Sequence, residues 1–224
     1  MSEAGLCRVL AFDCSGAACS AALWRDGRLA AERFAAMARG QAEALMPQIE
    51  SVMHEGGLDF SDLDAIATTV GPGSFTGLRL GLAAARGLAL AAERPLVVVT
   101  AFEALLAGLS EEQCAGRMVA VAIDSRRGPV FTQLFDARRA AVGSPISVDL
   151  AEFDRWLPPD NFIILTDADL PSTEPHRPLC RTAIRAGDIA RLTAGFGAAG
   201  IGRLAPVPLY LRAPDVTMAK RMPP

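Results

Sequence analysis

The hydrophobic pattern changes period several times along the chain. Residues 7–13 (CRVLAFD) and 18–24 (ACSAALW) are short apolar runs on either side of small and polar residues. They predict two paired strands with a turn between, and residues 29–36 predict a third. In residues 40–56 (GQAEALMPQIESVMHEG) the apolar positions are Ala42, Leu45, Met46, Ile49, Val52 and Met53. That spacing is the stripe of an amphipathic helix, which Pro47 is expected to kink or restart and Gly56-Gly57 to end. Residues 64–70 predict a buried strand. A helix follows from about Thr76 to Ala92, stopping before Pro95. Residues 96–100 predict a strand and 101–109 a helix. A second set of elements begins near Met118, with a helix at DIARLTAGF and an extended segment at PVPLYLR before a basic tail.

Between the fourth strand and its helix stands GPGSFTG: Gly71, Pro72, Gly73, Ser74, Phe75, Thr76 and Gly77. Strand, glycine loop and helix N-terminus together make the general geometry of a phosphate site. The string is neither a Walker A loop nor a G-x-G-x-x-G fingerprint, and no Lys follows it. The other reading is a tight turn that delivers a helix to something it packs against. Gly77 and Gly81 lie four apart, and Ala84, Ala85 and Leu88 continue near that face. Each interior Gly costs about 1 kcal/mol of helix propensity, which close packing normally offsets. Leu78, Leu80, Leu82, Leu88 and Leu90 cover much of the rest, so the helix is expected to be buried on several sides, by its own sheet alone or by a partner as well.

The chain repeats itself at half its length. LAFDCSGAACSAALW (Leu10 to Trp24) and VAIDSRRGPVFTQLF (Val121 to Phe135) each run apolar, Ala, apolar, Asp, then a small or polar stretch, then a second strand. Two related lobes are expected, residues 1–110 and 111–224, each opening on a hairpin whose turn follows an Asp. Small residues after Asp13, notably Ser15 and Gly16, let backbone N–H groups converge on an anion. Asp13, Ser15, Gly16 and Asp124 are therefore a candidate phosphate or anion turn. Arg126 and Arg127 offer a phosphate or carboxylate contact, or a solvated turn. Facing hairpins of this kind describe the α/β actin-like ATPase architecture. Ordinary hairpin turns remain the plain alternative.

Composition narrows the class. Of 224 residues, 51% are hydrophobic and 21% charged, with a net charge of −3. An acidic balance is not the footprint of a chain that grips nucleic acid alone. The five cysteines, Cys7, Cys14, Cys19, Cys114 and Cys180, form no C-x-x-C pair, which predicts reduced thiols in a cytoplasmic protein. The N-terminus lacks the pattern of a signal peptide. Arg79 and Arg86 interrupt the longest apolar run, so no membrane span is expected.

GPGSFTGLRLGL after DLDAIATTV, with LAFDCSGAACSAALW, AIDSRRGPVF and PLYLR, resembles the TsaB (YeaZ) family. The resemblance implies a duplicated actin-like (ASKHA, ribonuclease H-like) fold with a reduced second lobe. It implies a role in making threonylcarbamoyladenosine at position 37 of tRNAs that read codons starting with A. The partners implied are the transferase TsaD and the ATPase TsaE, with a homodimer when alone and tRNA contacted through the complex. ATP and metal are expected on the partner subunits, with none bound firmly here. The catalytic paralogue carries a metal-binding H-x-x-x-H where this chain has PLVVVTAFEAL, so the two positions fall on Ala101 and Leu105. Glu103 is left without a ligand partner, and His54 and His176 lie far apart in sequence. No catalytic or metal residue is expected, and the role implied is a scaffold. The resemblance implies a partner surface of Leu45, Met46, Ile49, Met53, Thr76, Gly77, Leu80, Gly81, Ala84 and Leu88. Ser74 or Thr76 would cap the second helix and Arg79 belongs to the family motif. Gly81→Leu is expected to abolish assembly with TsaD while the chain still folds. The competing readings are a nucleotide-dependent phosphotransferase and an M22-type peptidase homologue.

Overall fold

The computed structural model describes residues 6–114, 116–126, 128–170 and 179–211. Its first half runs β1 (Arg8–Asp13), β2 (Ala18–Arg25), β3 (Arg28–Ala36), α1 (Gln41–Gly56), β4 (Ala65–Thr69), α2 (Phe75–Ala92), β5 (Leu96–Val99) and α3 (Ala101–Ala107). After a single turn of helix, α4 (Glu111–Cys114), the plan restarts. The second half contains β6 (Met118–Asp124), β7 (Val130–Phe135), β8 (Ala141–Val148), α5 (Phe153–Trp156), β9 (Phe162–Thr166), β10 (Leu179–Arg181) and α6 (Ala186–Phe196).

Each half makes one five-stranded sheet, ordered β3-β2-β1-β4-β5 and β10-β9-β6-β7-β8. In both, three antiparallel strands are joined to two parallel ones. β1 pairs antiparallel with β2 and parallel with β4, as β6 pairs with β7 and β9. The sequence repeat is thus a repeat of topology, and this is the actin-like duplication.

Successive strand side chains point to opposite faces, so each sheet builds two layers. Leu10, Phe12, Cys19, Ala21, Leu23 and Ile66 face outward onto Leu45, Ile49, Val52 and Met53 of α1 and Ala85 and Ala89 of α2. Val9, Ala11, Ala67, Val97 and Val99 face a central layer shared with α3, α6 and the second sheet's Val119, Val121, Ile163 and Leu165. α6 crosses back to lie on the first sheet, and α3 lies against β6 and β9. The second sheet's outer face carries less. Ala120, Ala122, Val130, Phe162 and Ile164 are covered by the short α5 and by Leu157 and Leu170. This is the reduction of the second lobe.

Two local expectations change in detail. α1 runs through Pro47 without a break. Pro47 and Glu43, whose carbonyl loses its i+4 donor, both lie on the solvent side, where water can replace the lost bond. The segment around PVPLYLR is extended but joins neither sheet; Leu209 N–H donates to the Val70 carbonyl at 2.7 Å. Arg127, His176 and the basic end at Lys220 and Arg221 lie outside the described residues.

Candidate functional site

The first hairpin and the glycine loop form one closed unit. Asp13 ends β1 and Thr69 ends β4, side by side in the parallel register that sets Phe12 opposite Thr68. The Asp13 carboxylate accepts the Ser15 N–H at 3.1 Å and the Ser15 hydroxyl at 2.8 Å. It also accepts the Thr69 hydroxyl at 2.5 Å. Burial pushes its pKa up, while the bonds from Thr69, Ser15 and the Gly16 backbone oppose that shift. The amides of the small turn are therefore directed at the chain's own carboxylate.

The loop then lies over this turn. Ser74 N–H donates to the Ser15 carbonyl at 2.7 Å. A Cβ on Gly73 would come within 2.8 Å of that oxygen, and one on Gly77 would land on the Cys14 carbonyl. Cys14 Sγ donates to the Gly77 carbonyl at 3.3 Å, and burial raises its thiol pKa far above the usual range. Ser74 caps α2, its Oγ accepting the Gly77 N–H. The glycines at 73 and 77 thus allow backbone to meet backbone. They deliver α2 onto the first hairpin.

α2 presents two small-residue faces, and the motif reading selected the inner one. Gly77, Leu78, Gly81, Leu82, Ala85 and Ala89 are buried, and a Cβ on Gly81 would lie 3.4 Å from Thr68 Oγ1 and 3.5 Å from Cys14 Sγ. Leu45, Ile49 and Met53 face the same core. These five of the ten assigned surface residues (Leu45, Ile49, Met53, Gly77 and Gly81) are consumed inside the folded chain. Met46 and Thr76 are exposed, and Leu80, Ala84 and Leu88 are half-buried. A leucine at 81 has no room, so that substitution damages the fold and does not test assembly alone. Ala83, Gly87 and Ala91, passed over in the sequence, are exposed on the outer face, as is Leu90, which was expected to be covered and is 82% accessible. A Cβ at Gly87 meets open space. By length and composition α2 is apolar enough to cross a membrane, yet its inner face is packed on β4 and β5.

Phe75 and Arg79 of the motif reach the far end of the sequence. The Arg79 guanidinium stacks 3.7 Å above the Phe75 ring and Nε donates to the Tyr210 hydroxyl at 3.2 Å. The Phe75 and Tyr210 rings are 5.4 Å apart. Arg86 donates to the Pro206 carbonyl. Leu204 and Leu209 pack with Val70, Leu82 and Val98.

The second hairpin is built differently. Asp124 is exposed and its Oδ1 accepts the Arg126 N–H at 2.6 Å. Its own N–H donates to Asp167 Oδ1 at 2.9 Å. Burial, with the Asp124 charge adding to it, pushes Asp167 up to about 6. The structure does not bring Asp124 into the cluster that holds Asp13, Ser15 and Thr69.

Ala101 and Leu105 are fully buried apolar residues of α3. Glu103 has partners that the sequence concealed. It closes a capping box with Thr100 and takes a two-pronged contact from Arg203 at 2.8 and 3.1 Å. Arg203 lies a hundred residues away in a segment of no regular pattern, so no spacing signal pointed to it. His54 sits exposed in the last turn of α1.

Two sheets of identical order, a closed Asp turn at the head of the first and a thinly covered second sheet define a duplicated actin-like chain with a reduced second lobe. A family model described as TsaD, tRNA N6-adenosine threonylcarbamoyltransferase, matches residues 35–164. The TsaB protein of Escherichia coli (strain K12), named for tRNA threonylcarbamoyladenosine biosynthesis, is 39% identical over 124 residues. That match covers 55% of this chain and 53% of the relative, about half its length. A tRNA N6-adenosine threonylcarbamoyltransferase of Erythrobacter litoralis is 50% identical over 66 residues, 30% of this chain and 19% of that protein. The structure of YeaZ from Pseudomonas aeruginosa superposes with a TM-score of 0.78 at 28% identity, covering 92% of this chain and 100% of that one. The chain belongs to the TsaB (YeaZ) family, within the wider TsaD family.

Proposed function

We propose that this chain is a non-catalytic cytoplasmic subunit that docks on TsaD and, with TsaE, supports threonylcarbamoylation of adenosine 37 in tRNAs reading codons that start with A. The observation that carries the proposal is the outer ridge of α2. Thr76, Ala83, Gly87, Leu90 and Ala91 are exposed there, beside half-buried Leu80, Ala84 and Leu88; Met46 is exposed on α1. Helices as apolar as α2 are normally covered on most sides. Gly87 costs about 1 kcal/mol of helix propensity with no internal contact to offset it. Both features suit close packing against a helix of another chain. A resting homodimer would use the same ridge, and tRNA would be met only through the complex. Nucleotide and metal belong, in this reading, to the partners. The Asp13 turn spends its amides on its own carboxylate beneath the glycine loop, which counts against the phosphotransferase alternative.

Light scattering after size-exclusion chromatography tests this, on the chain alone and mixed with TsaD of the same organism. A 1:1 species that Gly87→Glu abolishes supports the reading, provided the variant keeps its melting temperature. No association, with or without nucleotide, overturns it. Saturable ATP binding by the chain alone would instead support the phosphotransferase.

A further inference from the structure

Phe75 and Tyr210, each 44% accessible, flank the exposed Arg79 guanidinium, and Val207, 54% accessible, stands nearby on the same C-terminal segment. Among the described residues neither Arg79 nor Arg86 is paired with a carboxylate; each donates one bond to the 206–211 segment, through the Tyr210 hydroxyl and the Pro206 carbonyl. Several of the chain's other arginines hold carboxylates: Arg33 holds Glu55, Arg181 holds Asp169, and Arg185 holds Glu32. Arg79 and Arg86 are two helical turns apart, about 10 Å at 1.5 Å rise per residue. An arginine stacked on one aromatic ring and bonded to the hydroxyl of another, with no carboxylate partner among the described residues, is the composition that interfaces concentrate at their energetic centres.

We propose that the Phe75–Arg79–Tyr210 stack, with Arg86 beside it, is a second docking point that receives an acidic segment of the partner protein, two carboxylates reaching the two guanidinium groups. The proposal rests on the reading of α2 as a subunit-binding helix, because the stack borders the same outer ridge. It makes the C-terminal segment 203–211 part of the contact surface. A protein carboxylate is favoured over an RNA phosphate because a net charge of −3 is not the balance of a chain that grips nucleic acid.

The test titrates the full chain against TsaD of the same organism, at low and at high salt, with melting temperatures recorded for every variant. Arg79→Gln and Arg86→Gln are each expected to weaken binding about tenfold at low salt and to flatten its salt dependence, at unchanged melting temperature. Tyr210→Leu, which removes the hydroxyl and the ring stack, is expected to weaken it severalfold. Arg79→Lys keeps the charge and is expected to recover part of the loss. If these variants bind TsaD as the parent does while Gly87→Glu fails, the docking point is overturned and the α2 ridge survives. If the parent chain itself fails to bind, both fall together. A loss of binding that tracks a loss of melting temperature assigns the stack to folding and overturns the proposal. So does an Arg79→Gln variant that binds TsaD normally but loses affinity for tRNA on the assembled complex.

Discussion

At the scale of single residues, glycines on one helix have opposite roles. Gly77 has no room for a methyl group because the Cys14 carbonyl occupies its place. Gly77→Ala must push apart two backbones that are fixed by strand pairing and by the Ser74–Ser15 bond. Its cost is expected to exceed 3 kcal/mol, in the range of severe overpacking. Gly87 has open space on the same helix. Gly87→Ala is expected to stabilise the isolated chain by about 0.5–1 kcal/mol through helix propensity alone. Differential scanning calorimetry of the two variants reads the contrast directly. A second residue-scale expectation concerns Asp167, whose carboxyl titrates near 6 in the folded chain and near 3.9 when unfolded. The folded state holds this proton more tightly, so its stabilising effect is complete below about pH 4 and is lost as pH rises through 6. Asp167→Asn keeps an acceptor for the Asp124 N–H. It should flatten stability between pH 4 and 7 and raise stability at pH 8, by on the order of 2 kcal/mol. Urea titrations at these pH values decide it, and an unchanged slope would show that the carboxyl is not perturbed by its surroundings.

At the scale of elements, α6 shows how an end is capped from the other lobe. No local side chain caps its first turn. Glu32 of β3 accepts the Gly187 N–H at 3.0 Å and pairs with Arg185 at 2.5 Å, and Ser20 of β2 accepts the Ala186 N–H at 3.1 Å. A carboxylate at a helix N-terminus also meets the helix dipole favourably. Glu32→Ala is therefore expected to cost about 2 kcal/mol, lowering the melting temperature by roughly 4–8 °C in a chain of this size. Glu152→Ala removes only an exposed pair with Arg155 at 3.8 Å and should change stability by less than about 0.5 kcal/mol. The helix itself was legible as DIARLTAGF, because its apolar spacing is local. Its cap was not, because Glu32 reads as an ordinary strand residue until the lobes fold together. The same limit governs α2. Its strand, turn and helix could be placed from the 3.6-residue period and from Gly71 to Gly77, and Ser74 was available as its cap. Which small face turns inward could not, since Gly77, Gly81, Ala83 and Gly87 are equivalent in a pattern. The carbonyl of Cys14, sixty residues away, decides it. The duplication was readable from Asp13 and Asp124, and in both turns the carboxylate accepts the N–H two residues on; the turns diverge because Asp13 is buried and also takes the Ser15 and Thr69 hydroxyls, whereas Asp124 stays exposed.

At the scale of the whole molecule, the two lobes share their middle layer. Residues of β1, β4, β5, α3, β6, β9 and α6 form one apolar cluster, so neither sheet can lose its partner without exposing its own inner face. α6 and α3 each lie against the opposite sheet, and Glu103–Arg203 and Glu32–Arg185 tie distant segments together. A chain built this way has no cleavage plane along which one lobe can open alone at low cost, and unfolding in a single cooperative step follows. The two tryptophans report this separately. Trp24 lies on β2 of the first sheet and Trp156 on α5, which covers the second, its ring stacked 5.9 Å from Phe153. Trp24→Phe and Trp156→Phe each leave one reporter, and each variant must be compared with its own far-ultraviolet circular dichroism. Within each variant the fluorescence and dichroism curves in urea are expected to superpose, with the same midpoint and slope. A Trp156 signal that falls before the dichroism would mean that the thinly covered second sheet opens first. That would make the reduced lobe a separable unit and the shared layer weaker than its burial implies.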